Sequence, residues 1–256
     1  MQIDKTSINL RVILAIIVIA IGFHMLLQSN MDDPDGFDFP DILYLSLPLG
    51  CAIAGFITAY SYKRKKIPFF GKSYFALGLG FVFWFIGDLV YYFYLFILEL
   101  DPYPLLESDL FYVFFYACLI YFIISNIKFF QIRISPVTLV YVVGIVLLIF
   151  AAYSYVAYVE LEEFGFDYFY AILFVVPSSI TLAFAVEGTR MFKHSPVKEA
   201  WALLGIGISL ITLADVWYYY EEIAGNYDDN HVLNSLWFGS FMLIIYSLYI
   251  HKKSML

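Results

Sequence analysis

The sequence predicts an all-α, polytopic integral membrane protein: eight transmembrane helices, arranged as a tandem duplication of a four-helix unit. Three observations predict it: an extreme apolar composition, apolar runs of span length, and segregation of charge between alternate loops. Of 256 residues, 62% are hydrophobic and 21% aromatic, and the mean hydropathy of +0.81 lies outside the range of water-soluble domains. A helix needs about 20 apolar residues to cross roughly 30 Å of hydrocarbon. Runs such as "PVTLVYVVGIVLLIFAAYSYVAYV" reach that length without the alternation of a barrel strand. Backbone in lipid must satisfy its own hydrogen bonds, so such runs are helices.

The first span, 8–28, follows Lys5 and contains Arg11 near its start. This resembles a secretory leader, yet "GFHMLLQSN" has no small-x-small cleavage site, so the span is expected to be structural. Span 41–62 holds Pro48, where a kink is expected, and runs into "KRKK". Span 74–98 carries Gly78, Gly80 and Gly87, which allow another helix to approach closely, and span 109–129 follows "PYPLLESD". The second set is 136–159, 167–190 with Pro177, 199–221 and 231–251. Cys51 and Cys118 fall inside spans, as small packing residues would, and predict no disulfide.

Charge gives the orientation. All 14 Lys and Arg residues fall at the N-terminus, in the second, fourth and sixth connections, or in the tail, while 17 of the 22 acids fall in the alternate connections. Cytoplasmic loops collect cations, so the pattern predicts a multi-pass protein of the cell membrane with both termini cytoplasmic and its acidic loops outside. The basic loops suit anionic lipid head groups. No base-reading motif accompanies them, so nucleic acid is not an expected partner.

"LGLGFVFWFIGDLVYYF" and "LGIGISLITLADVWYYY" align Gly78 with Gly205, Gly80 with Gly207, Asp88 with Asp215, and Tyr91 and Tyr92 with Tyr218 and Tyr219, each at an offset of 127. Gly36-Phe37-Asp38 and Gly165-Phe166-Asp167, and likewise Pro48 and Pro177, align at 129. The repeats are 1–132 and 133–256, forming one integrated membrane domain. Four spans per repeat give both halves the same orientation, about a pseudo-two-fold axis along the membrane normal.

Away from the span ends, the acids inside spans are Asp88 and Asp215. Asp88 lies about 14 residues, or roughly 21 Å, from the inner end of its span, in the outer half of the bilayer. A carboxylate in hydrocarbon needs a partner, water or a proton, and no Lys or Arg shares these spans, so each is a functional candidate. Tyr91 and Tyr92, and Tyr218 and Tyr219, follow at helical spacing, with Thr212 one turn before Asp215. The alternative is a helix–helix clasp in which a tyrosine hydroxyl satisfies each aspartate.

Gly80, Trp84, Gly87 and Asp88, followed by Cys118-Leu119-Ile120-Tyr121, and Gly207, Ala214 and Asp215, followed by "DNHVLNSLWFGSFMLIIYSLY", resemble the "GxxxxxxGD … HxxY" pattern of YhhN-like lysoplasmalogenases. Cys118 and Ser240 stand where that family has histidines. The resemblance implies eight spans and hydrolysis of a lysolipid vinyl ether, with Asp88 and Asp215 catalytic. Trp84, Tyr91, Tyr92, Cys118, Tyr121, Thr212, Tyr218, Tyr219 and Ser240 would then contact a membrane lipid or small amphipathic ligand. "PYPLLESDLFYVFFY" is similar to a segment of bacterial membrane sensor modules, which would imply ligand sensing through a separate cytoplasmic signalling partner. Paired intramembrane acids in parallel repeats also suit a proton-coupled transporter.

Metal and cofactor chemistry is not expected. His24, His194, His231 and His251 lie in different segments without HxxxH or HExxH spacing. "GKS" at 71–73 has Lys66 where a phosphate loop needs glycine, and neither a serine elbow nor a dinucleotide fingerprint occurs.

Overall fold

The computed structural model describes residues 8–29, 39–100, 107–130, 135–161, 164–228 and 230–254. Among them are eight α-helices: α1 (Leu10–Ser29), α2 (Phe39–Arg64), α3 (Pro68–Tyr92), α4 (Glu107–Phe130), α5 (Pro136–Leu161), α6 (Phe166–Phe192), α7 (Lys198–Ala224) and α8 (Val232–Ser254), with a π-helical turn, Phe93–Ile97, extending α3. Each of the eight is long and apolar enough to cross a membrane. The acidic segment 30–38 with its Gly36-Phe37-Asp38 repeat, residues 101–106, Arg133 and the last two residues lie outside the described residues.

Local chemistry sets the helix ends. Pro68 opens α3, where its missing N–H is no loss because a first-turn amide has no helical acceptor. The helix therefore starts six residues before the expected 74. Gly225, at φ 67°, closes α7 in the left-handed conformation that glycine adopts freely. Its amide and that of Asn226 bond the carbonyls of Glu222 and Glu221, satisfying the last turn. Pro48 and Pro177 lie inside α2 and α6, which continue as helix on both sides of them.

Six helices form a closed cycle: α2 packs on α3, α3 on α4, α4 on α6, α6 on α7, α7 on α8, and α8 back on α2. In that ring α3 and α7 stand opposite each other. The other two are peripheral, α1 resting on α8 and α5 on α6 and α7. Phe23 of α1, for example, stacks on Phe238 of α8 with ring centroids 4.0 Å apart.

In lipid, helices associate through close packing and not by escape from water, so small residues at their crossings matter. At the α2–α3 crossing, a Cβ on Gly55 would sit 2.9 Å from the backbone of Gly78. At Gly80 it would sit 3.0 Å from Cys118 Cβ on α4, and at Gly207 it would press on Ser240 O of α8 at 3.2 Å. Gly87 makes room for a ring instead of a backbone: its Cβ would fall 2.8 Å from Tyr112. The aromatic core continues through Trp201, stacked on Phe192 at 4.3 Å and on Phe122 at 5.9 Å.

The opposite end of α8 from Trp237 carries a separate polar knot. Buried His251 meets the hydroxyl of Tyr62 through Nε2 at 2.7 Å and that of Tyr74 through Nδ1 at 3.2 Å. It thereby ties α8 to α2 and α3, and its two bonded nitrogens explain how an imidazole is tolerated inside an apolar bundle.

Candidate functional site

Asp215 projects from α7 into a complete set of donors. Trp237 Nε1 of α8 donates to Oδ1 at 2.9 Å, Ser178 Oγ of α6 to Oδ2 at 2.7 Å, and the Tyr116 hydroxyl of α4 also to Oδ2. Three helices therefore converge on one carboxylate that is 5% exposed. Thr212, one turn earlier, bonds the Ser178 carbonyl at 3.1 Å. It fixes the α6–α7 crossing and so positions Ser178, which is a different role from direct contact with Asp215.

Asp88 is held more sparsely. The Tyr112 hydroxyl of α4 donates to Oδ1 at 2.8 Å, and the space at Gly87 lets that ring lie against α3. The second oxygen, Oδ2, is buried with no hydrogen-bond partner among the described residues, and so is the Trp84 Nε1 one turn away. Trp84 is wedged edge-on against Phe115 at 4.6 Å, Phe241 at 5.2 Å and Tyr112 at 5.6 Å.

Tyr44 of α2 lies near Trp84 and within electrostatic reach of both carboxylates and of Tyr227. Tyr91 lies within electrostatic reach of Tyr112 and Tyr218. Tyr218 packs edge-on against Tyr227 at 4.7 Å and tilts against Trp237 at 5.6 Å. Tyr219 stacks on Phe174 at 5.0 Å and stands within electrostatic reach of Tyr116 and Asp215. The two acids, on opposite helices of the ring, are thus both set among tyrosines.

The remaining expected residues stand elsewhere. Tyr92 stacks on Phe96 of the π-helical turn at 5.5 Å. Cys118 packs where Gly80 approaches α4, Tyr121 is 52% exposed on the outer surface of α4, and Ser240 bonds the Trp237 carbonyl of its own helix at 2.6 Å. Tyr44, Tyr112, Tyr116, Ser178 and Trp237 were not singled out from sequence. The one available signal was the four-residue spacing of Tyr112 and Tyr116, which stacks both hydroxyls on one face of α4.

The fold thus defines a polytopic helical membrane protein with two buried carboxylates inside a helical ring. In comparisons with known proteins, no family model, no curated protein and no solved structure matches the chain.

Proposed function

We propose that the chain is a membrane-embedded, lipid-directed hydrolase that hydrates a vinyl-ether bond of a lysolipid, with Asp88 and Asp215 as its acid/base pair. The observation that carries this reading is the asymmetry of the two carboxyls. The two oxygens of Asp215 accept hydrogen bonds from three side chains, whereas Asp88 Oδ2 is buried and completes no hydrogen bond among the described residues. A free oxygen is what a group needs to hand a proton to a substrate; a fully bonded carboxylate suits charge stabilisation.

In this mechanism the Asp88 carboxyl protonates the outer carbon of the enol ether. The oxocarbenium that forms next to the ether oxygen is stabilised by the negative charge across the ring at Asp215. Water adds to that cation, its proton returns to the Asp88 carboxylate, and the hemiacetal collapses to an alcohol and an aldehyde. The test is incubation of the purified chain with a vinyl-ether lysolipid and detection of the free aldehyde by mass spectrometry. Absence of aldehyde above a heat-denatured control would end the proposal.

The reading includes a duplicated architecture with cytoplasmic termini. It is supported by the 127-residue offset and by a ring in which α2, α3 and α4 occupy positions equivalent to α6, α7 and α8. A reporter fused after Leu256 is expected to be shielded from an impermeant label in intact cells and labelled after permeabilisation. Labelling in intact cells would invert the orientation.

A second reading, sensing through a separate partner, draws on one contact. The Tyr170 hydroxyl of α6 donates to Asp109, the acid of the sensor-like segment, and so links the start of α4 to α6. A ligand that altered this bond would shift two ring helices together.

A further inference from the structure

The turn between α2 and α3 gathers exposed cations on a fixed backbone. α2 ends in Lys63 and Arg64, and α3 begins at Pro68. The Ile67 amide bonds the Tyr62 carbonyl at 3.1 Å, and the Lys66 amide bonds that of Lys63, also at 3.1 Å. This closure puts Lys66 at φ 58°, the left-handed position that helix ends usually give to glycine. A lysine there carries strain that glycine would avoid. The turn is also anchored from below, because Tyr62 stacks on Phe70 at 5.0 Å and its hydroxyl meets His251.

Packing brings two more cations to the same end of the bundle. Gly71 of α3 lies against α2, where an added Cβ would fall 3.7 Å from the Lys63 amide nitrogen, which holds the next residue, Lys72, at the level of Lys63. Phe129, near the end of α4, packs on Phe69 at 5.1 Å and on Phe70 at 4.5 Å, and so carries Lys128 to the start of α3. Lys63, Arg64, Lys66, Lys72 and Lys128 are all exposed. None of the five forms an ion pair among the described residues; the pair found there, Arg190 with Glu187, lies in the second half. No acid occurs between Asp41 and Asp88, or between Asp109 and Glu160. The second half is built differently: at the offset of 127, Lys72 corresponds to Glu199, whose carboxylate accepts from the Ile8 amide. Orientation in a membrane asks for cations on one face, not for five unpaired ones in one half.

We propose that the α2–α3 turn, together with the end of α4, binds an anionic phospholipid of the surrounding leaflet whose headgroup is a phosphomonoester. A headgroup with one charge leaves most of these cations unmatched, whereas a terminal phosphate carries nearly two charges and three acceptor oxygens, and Arg64 can hold it with two N–H groups. Beside the cations the surface turns apolar, with Phe69 40% and Phe129 48% exposed. A free anion would use the cations alone, while a lipid also lays its first methylenes on these rings. The proposal is independent of the hydrolase reading.

The experiment is native mass spectrometry of the full chain released from detergent, which counts lipids on folded protein. Phosphatidate, phosphatidylglycerol and phosphatidylcholine with the same acyl chains are compared. The same series is run on a variant with glutamine at the five positions (K63Q, R64Q, K66Q, K72Q and K128Q) and on a control with four cations of the second half replaced (K193Q, K198Q, K252Q and K253Q). A further arm adds soluble glycerol 3-phosphate at the concentration of the lipid.

The wild type is expected to bind phosphatidate about tenfold more tightly than phosphatidylcholine, the contribution of one to two cations near a membrane surface, with phosphatidylglycerol between them. The first-half variant loses this ranking, the second-half control keeps it, and glycerol 3-phosphate does not displace the lipid. A wild type that fails to rank phosphatidate first overturns the proposal, as does a ranking that survives in the first-half variant. Equal loss in both variants would show diffuse attraction by net charge, and displacement by glycerol 3-phosphate would show a site for a free anion; either result overturns it too.

Discussion

Asp215→Ala is expected to lower the melting temperature of the detergent-solubilised protein by about 10 °C. The substitution removes the acceptor of Tyr116, Ser178 and Trp237 and leaves three buried donors from three helices unpaired. Each such loss costs about 1–3 kcal/mol in protein interiors. Hydrogen bonds between membrane helices average only about 0.6 kcal/mol. Three losses therefore total between about 2 and 9 kcal/mol; the lower part of that range, about 4 kcal/mol, suits a site between membrane helices, and about 2–4 °C per kcal/mol converts it to the stated drop. Asp88→Ala frees only Tyr112 and is expected to cost about a third as much. Asp215→Asn falls between, because an amide oxygen can still receive Tyr116 and Ser178 while its NH₂ group confronts the Trp237 donor. Fluorescence-monitored thermal unfolding of the three variants checks the order. An Asp88→Ala protein less stable than Asp215→Ala would show that Asp215 is not the organising residue of the ring.

The difference between these aspartates marks where sequence reading stops. Eight spans were legible because hydrocarbon thickness and charge act on every residue of a run, and each expected span meets a helix. The largest shift, at α3, arose because Lys72 lowers the local hydropathy while Phe70 and Tyr74 are buried in the core, so the helix begins at Pro68. The two acids were legible because a charge in an apolar span stands out against its neighbours.

Their donors were not legible, because a hydroxyl that matters looks like any of the 23 tyrosines in the chain. Helical spacing pointed to Tyr91 and Tyr92 on the acid's own helix. The bond to Asp88 comes from Tyr112 on the next one, a relation fixed by the crossing of α3 and α4 and by the space at Gly87. Sequence spacing reports neighbours along one helix, and this site is assembled across six. Its most telling feature, the difference between a fully bonded Asp215 and an Asp88 whose Oδ2 completes no hydrogen bond among the described residues, depends on how rings pack and has no signature along the chain.

That same feature makes Asp88 the residue whose loss is expected to affect chemistry most. Asp88→Asn retains an oxygen to accept from Tyr112 and nearly the same volume, so the ring should stay folded with a melting temperature within a few degrees of the wild type. The amide has no acidic proton for the enol-ether carbon, and loss of a positioned general acid typically lowers rate by about 10²–10⁴-fold. Aldehyde release per folded protein is therefore expected to fall by at least about 100-fold. Asp88→Glu keeps the proton but moves it by one methylene, and is expected to retain part of the activity. The conserved acid function in Asp88→Glu and its absence in Asp88→Asn separate proton donation from packing, since the larger side chain disturbs packing more. If Asp88→Asn released aldehyde at the wild-type rate, Asp88 would be a clasp between α3 and α4, and the unengaged oxygen would have no part in the reaction.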